Sequence, residues 1–153
     1  MQTGEECPDV QRVTRRFHDL AAGAVCAGGP AMPPPDIADR ALRFAVRIVR
    51  VYERITASAG AARVLAPQLL RSAASIGANL EEATAGQTKP DFIAKVSVAR
   101  KEARETVYWL RLIAAAGLVQ ADAVEWEISE ARQLVAILGT IVLNAKTNSR
   151  RGT

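Results

Sequence analysis

The chain has 153 residues, 49% hydrophobic and only 5% aromatic, with a formal net charge of +4 and a pI near 9.5. That length suits one domain with a sizeable core, and an interior of Ala, Leu, Val and Ile favours closely packed helices over a sheet sandwich. The charge is too mild to demand a polyanionic partner, and no apolar run reaches the ~18 residues of a membrane span. Both cysteines, Cys7 and Cys26, precede the helical region, so no disulfide framework is indicated and a reducing cytoplasm fits.

Residues 1–35 mix acids, Gly and Pro, with at most one short helical segment from Val10 to Ala24. The run GGPAMPPPD then breaks any helix, and its prolines form a stiff spacer. This stretch is expected to be a disordered or loosely attached N-terminal extension. AAGAVCAGG is weakly apolar, but the acids before it and the prolines after it argue against a signal peptide. His18, the only histidine, has no catalytic partners nearby and reads as a solvated side chain.

A first helix is predicted over 36–57, with Asp36 or Asp39 at its positive end. Ala41, Phe44, Ile48, Val51 and Ile55 form its core stripe. Beside that stripe Arg40, Arg43, Arg47, Arg50 and Arg54 recur at alternating spacings of three and four residues, one row over about 20 Å of helix. A row of this kind is either a solvated face whose long stems shield apolar neighbours or a surface for a polyanion. Guanidinium groups suit phosphate because they stay charged and offer paired donors.

SASAGAA turns into a second helix over 61–86, where Pro67 predicts an irregular start and Gly86 a stop. Leu69, Ala73, Ile76, Leu80 and Ala83 share one face, and the small residues Ser72, Ala74, Gly77 and Ala78 permit close approach of a neighbour. Glu81 and Glu82 are adjacent carboxylates, but no Glu-x-x-His pair accompanies them, so polar contacts between helices are expected and no metal. A third helix over 90–116 has Thr88 as N-cap and Gly117 as stop. Its stripe is Phe92, Val96, Ala99, Ala103, Thr106, Leu110 and Ile113. Arg71, Asn79 and Glu105 lie near the apolar stripes, and at least one pair of them should meet between helices.

A fourth helix is predicted over 122–146, followed by a basic C-terminal tail, 147–153. Its core positions are assigned to Val124, Ile128, Ala131, Val135, Leu138, Val142 and Ala145. Leu134, Ile137 and Ile141 form a second apolar row, more than one stripe of a monomeric bundle needs. That row is assigned to contact with another subunit. The acids Asp122, Glu125, Glu127 and Glu130 fall in the helix's first half, as the macrodipole prefers.

Together QLLRSAASIGANLEEA and DFIAKVSVARKEARETVYWLRLI resemble a bacterial four-helix-bundle family, the proteins encoded by intervening sequences in 23S ribosomal RNA genes. The accessory variability determinant of diversity-generating retroelements shares that fold. The elements that carry the likeness are Arg71-Ser72, Ser75 to Asn79, Glu81 to Ala83, Asp91-Phe92, Lys101 to Thr106 and Tyr108 to Leu110, within a resemblance spanning about Asp36 to Lys146. Pro67 departs from it, as does the N-terminal extension.

The resemblance implies an all-α, up-down-up-down antiparallel four-helix bundle that assembles as a homopentamer and has no enzymatic activity. Its retroelement members bind nucleic acid and a reverse transcriptase through basic surface. With no nucleophile–base pair, phosphate loop or metal-ligand set in the sequence, neither cofactor nor catalytic residue is assigned. The favoured reading is a cytoplasmic, non-enzymatic oligomer that binds RNA or DNA through the arginine row, without a membrane role. The other is a scaffolding oligomer with a protein partner.

Overall fold

The first helix, α1 (Pro35–Thr56), opens on the last of three prolines, where a missing N–H costs nothing because the first turn has no intrahelical acceptor. The computed structural model describes residues 35–57, 60–86 and 88–150. The N-terminal extension with Cys7, His18 and Cys26 lies outside them. A turn through Gly60, at φ +88°, leads into α2 (Ala62–Ala85). Pro67 sits inside this helix and cannot bond the Arg63 carbonyl, but both residues are exposed, so water can replace the lost bond. Gly86 ends α2 in an extended conformation, φ −64° and ψ 137°, so its role as a stop needs no left-handed backbone.

The third helix, α3 (Lys89–Ala115), starts on Thr88, whose hydroxyl accepts from the Asp91 amide at 3.3 Å. Gly117 ends it at φ +68°, the left-handed position that glycine fills without a Cβ clash. A 3-10 turn, Asp122–Val124, precedes α4 (Glu125–Arg150). Helix therefore continues through 147–150, beyond the point where a tail was expected.

Among the described residues there is no strand, and the four helices pack on one another as an all-α bundle. Short connections make sequence neighbours antiparallel. The helices α2 and α3 share the most extensive seam, α1 lies against α2 and α4 against α3, and the α1–α4 seam is much the thinnest. The predicted stripes of α1, α2 and α3 are buried as expected, with Phe44, Ile48, Leu69, Ile76, Leu80, Phe92 and Leu110 closed to solvent. Small residues bring backbones close: a Cβ placed on Gly77 of α2 would reach 4.0 Å from the Ala41 Cβ of α1.

The α2–α3 seam contains a short polar relay. Thr106 Oγ1 donates to Ser72 Oγ at 3.0 Å, and Ser72 Oγ donates to the Leu69 carbonyl at 3.1 Å. Both hydroxyls are fully buried, and the relay satisfies both without bulk or charge. Ion pairs flank it: Arg71 Nη2 donates to Glu105 Oε1 at 2.7 Å, and Lys95 pairs with Glu82. Glu105 Oε1 also accepts from Trp109 Nε1 at 3.1 Å. The expected meeting of Arg71 and Glu105 is thus present, whereas Asn79 bonds within its own helix, to the Ser75 carbonyl.

Val124, Ala131, Leu138, Val142 and Ala145 of the predicted α4 stripe are buried as expected, but the buried face extends further towards α1 than predicted. Leu134 is fully buried, as are Glu127 and Glu130 nearly so, while Ile128 and Val135 are only half-buried. The helix sits between α1 and α3 and uses both flanks of its apolar surface within the chain.

Glu105→Ala should cost about 1 kcal/mol, more than the usual ±0.5 kcal/mol of a surface change. The more exposed Arg71 keeps the loss below that of a buried pair. Urea unfolding measures it, and a loss inside the surface range would mean water replaces the pair.

Candidate nucleic-acid interface

The arginine row of α1 divides into two parts. Its alternating steps zigzag across the helix face, and Arg40 and Arg47 lean towards α4. Arg40 forms a bidentate pair with Glu130, Nε to Oε1 at 2.5 Å and Nη2 to Oε2 at 2.8 Å, and Nη2 also donates to Gln133 Oε1 at 2.7 Å. One turn earlier on α4, Glu127 Oε1 accepts from Nε and Nη2 of Arg47 at 3.0 and 2.8 Å. The guanidinium of Arg47 also lies over the Trp126 ring, its Cζ 4.0 Å from the centroid, within cation–π range. Moving forward on α1 moves backward on α4, which fixes these two helices as antiparallel.

These contacts close the bundle. Both carboxylates are buried, Glu127 at 3% and Glu130 at 8% exposure, so each needs its arginine. Arg40 and Arg47 are therefore held between helices and have less freedom to meet a ligand than a solvated row would. Arg43 is exposed and has a contact of its own. Arg50 and Arg54 are exposed, and no carboxylate among the described residues pairs with them.

Of the three residues assigned to a subunit interface, Leu134 belongs to the chain's own core, at 0% exposure, and that assignment is corrected. The cause is the breadth of the buried face of α4: Leu134 lies with Glu127 and Ala131 on the side turned towards α1. Ile137 and Ile141 are half-buried against the core and retain apolar surface. A different apolar row is more open. Leu42, Val46 and Val49 recur at four and three residues on the outer side of α1 and are each over 40% exposed.

Sequence reasoning missed the buried acids. It assigned Glu127 and Glu130 to the helix dipole, although both fall within one turn of the stripe Val124, Ala131, Leu134, and α1 carries arginines seven residues apart to meet them. It also overlooked Trp126, which stands beside the row. Among the described residues no group of three His, Cys, Asp or Glu could hold a metal. One buried side-chain oxygen, Glu102 Oε2, has no hydrogen-bond partner there. The stretch Asp122–Thr147 is long and apolar enough to cross a membrane by length and composition alone. Its apolar stripe is the core face of α4, and its two buried acids are paired with α1.

A family model described as 23S rRNA-intervening sequence protein matches residues 35–140. The chain belongs to that family. The matched region starts with α1 and ends within α4, so this 23S rRNA-intervening sequence family protein carries the family's bundle behind its N-terminal segment. It is also similar to a crystal structure of a protein of unknown function from the S23 ribosomal protein family of Bacteroides thetaiotaomicron, with 35% sequence identity and a TM-score of 0.64. That likeness covers 69% of this chain and 97% of the other. No curated protein matches.

Arg47→Ala should destabilise this family member more than Glu127→Gln does. The first leaves a buried carboxylate without its partner, a cost of about 1–3 kcal/mol because the half-exposed Arg47 lets water in when it is removed; the second removes the charge and leaves Arg47 free to reach water. Paired urea titrations decide it, and the reverse order would show that Glu127 is hydrated without Arg47.

Proposed function

We propose that the protein is a cytoplasmic, non-enzymatic oligomer that binds nucleic acid through basic surface, with no catalytic residue, metal or cofactor assigned. The observation that carries this reading is how the acids are used. Glu82, Glu105, Glu127 and Glu130 are engaged in seams between helices, so these acids are already matched by cations, and the surface beyond the seams, where Glu53 stands beside Arg50 and Arg54, keeps a net positive field. On α1 the contribution comes from Arg50 and Arg54, while the charges of Arg40 and Arg47 are matched by Glu130 and Glu127 in the clamp. A ring of subunits, the homopentamer implied by the family likeness, would join these short rows into a belt. Contacts to phosphate position a strand without reading its sequence, so binding should be poorly sequence-specific and steeply salt-dependent. A protein partner such as a reverse transcriptase, which the likeness to retroelement proteins implies, belongs to the same reading.

The apolar row Leu42, Val46 and Val49 favours a protein contact as well, and we assign it to self-association together with Ile137 and Ile141. Two different patches on one subunit suit a head-to-tail ring. A scaffolding oligomer without nucleic acid would use the same surfaces.

Light scattering should give several times the chain mass of 16.4 kDa, and Val46→Lys or Ile137→Lys should lower it. A monodisperse monomer of the parent would remove the ring. Filter binding of mixed RNA and DNA across a salt series should show affinity that collapses as salt rises, and a parent that binds neither at low salt would leave the scaffolding reading.

A further inference from the structure

Among the described residues a second basic surface without ion pairs lies on α3 and α4, away from the arginine row. Arg100, Arg104 and Arg111 of α3 are four and seven residues apart, which stacks them on one side of the helix. That side borders α4. A Cβ placed on Gly139 of α4 would lie 3.3 Å from both Cζ and Nε of Arg100; glycine there leaves room for the guanidinium against α4. Gly139 and Arg132 are seven residues apart and share a face of α4. With Arg100 opposite Gly139 in an antiparallel pair, Arg132 falls opposite the stretch between Arg104 and Arg111. All four arginines are exposed. Among the described residues no carboxylate pairs with any of them, or with Lys101 on the outer side of α3. The acid at the edge of this surface is Glu125, at the start of α4.

An aromatic ring stands among these cations. Tyr108 is 57% exposed and lies one turn from both Arg104 and Arg111 and two turns from Lys101. Trp109 braces it edge-to-face, with ring centroids 5.1 Å apart and planes at 71°. Trp109 is in turn fixed through its hydrogen bond to Glu105. The exposed face of Tyr108 is therefore held in place and costs little further entropy when a planar group stacks on it.

We infer that the α3–α4 groove is a binding site for single-stranded nucleic acid, with Arg100, Arg104, Arg111 and Arg132 along the phosphates and Tyr108 stacking a base. From Arg100 to Arg111 the row spans about 16 Å, room for a few nucleotides. Arginine dominates where lysine would serve a mere charge, and its fork matches phosphate oxygens. A basic groove with an interleaved aromatic is the arrangement that holds single strands, because every base offers a face to stack. Duplex keeps its bases inside and gives Tyr108 nothing to cover. An acidic peptide would use the charge and leave the ring unused.

This inference rests on the nucleic-acid reading above but puts the principal site on a different face, which allows the two to be tested apart. Fluorescence anisotropy with labelled oligo-uridine and oligo-thymidine, at low salt and on the full chain, compares the parent with three variants of retained helicity and oligomer size. Arg104→Glu with Arg111→Glu and Arg132→Glu should weaken binding at least ~tenfold, since each lost phosphate contact lowers affinity. Arg50→Glu with Arg54→Glu on α1 should weaken it less. Tyr108→Ala should cost roughly fivefold or more on single strands and leave duplex binding unchanged. Equal loss on uridine and thymidine oligomers assigns the site to strand and base, and a loss on uridine alone narrows it to RNA. Parent-like binding by the α3–α4 variant, with binding lost in the α1 variant, overturns the groove and leaves the wider reading standing. A parent that binds no polynucleotide overturns both. Polyglutamate that competes as well as oligo-uridine at equal charge, or indifference to Tyr108→Ala, overturns the single-strand assignment.

Discussion

The close approach of α2 and α3 is the constraint on which the other helices depend. These two share the most extensive seam among the described residues, and Ser72 and Thr106, which meet in it, are fully buried. Small side chains let the backbones approach, and the relay from Thr106 through Ser72 to the Leu69 carbonyl keeps polar atoms in that space without a bulky partner. A Leu at either hydroxyl position would have to push the helices apart or adopt a strained rotamer. With this pair fixed, α1 finds its groove against α2 at Gly77, and α4 finds its own against α3, where Arg100 crosses to Gly139.

Closing the remaining side falls to charge. The seam between α1 and α4 is thin, and Arg40 and Arg47 reach across it to acids that the core has nearly enclosed. Such pairs contribute little net stability compared with an apolar filling of the same volume, yet they are costly to break. Their effect is to fix which part of α4 meets α1. The same device explains why a row of five arginines does not act as one surface: Arg40 and Arg47 are structural, Arg43 has a contact of its own, and Arg50 and Arg54 face outward.

Most of the fold was legible in the sequence. Stripes with three- and four-residue spacing in α1, α2 and α3 gave helices whose ends fall within one residue of those observed, because Pro35, Thr88 and Gly117 act locally. The phase of α4 was legible at Val124, Ala131, Leu138, Val142 and Ala145, but the width of its buried face was not. Its apolar residues cover so much of the circumference that Leu134 was assigned to a subunit contact, and only the position of α1 shows that it belongs to the core. Glu127 and Glu130 were misjudged for the same reason, since a carboxylate on a helix flank reads as solvated until a partner helix encloses it. The family was legible from the central motifs, and the site far less so. Spacing shows which cations share a face; whether an acid of another helix neutralises them is a tertiary fact.

The bonds that close the bundle also join parts of the chain far apart in sequence. Arg47 and Glu127 are separated by 80 residues, Arg40 and Glu130 by 90. The seams between neighbouring helices need only a short connection to close, so they can form early, while the α1–α4 seam waits for the three hairpins to bring its halves together. Contacts that close last are the ones least formed at a folding barrier. Weakening the clamp would leave the rate of folding nearly unchanged and hasten unfolding, and α1 is the helix whose release leaves the α2–α3–α4 packing least disturbed. The clamp thus sets how long the native bundle persists more than how quickly it is reached.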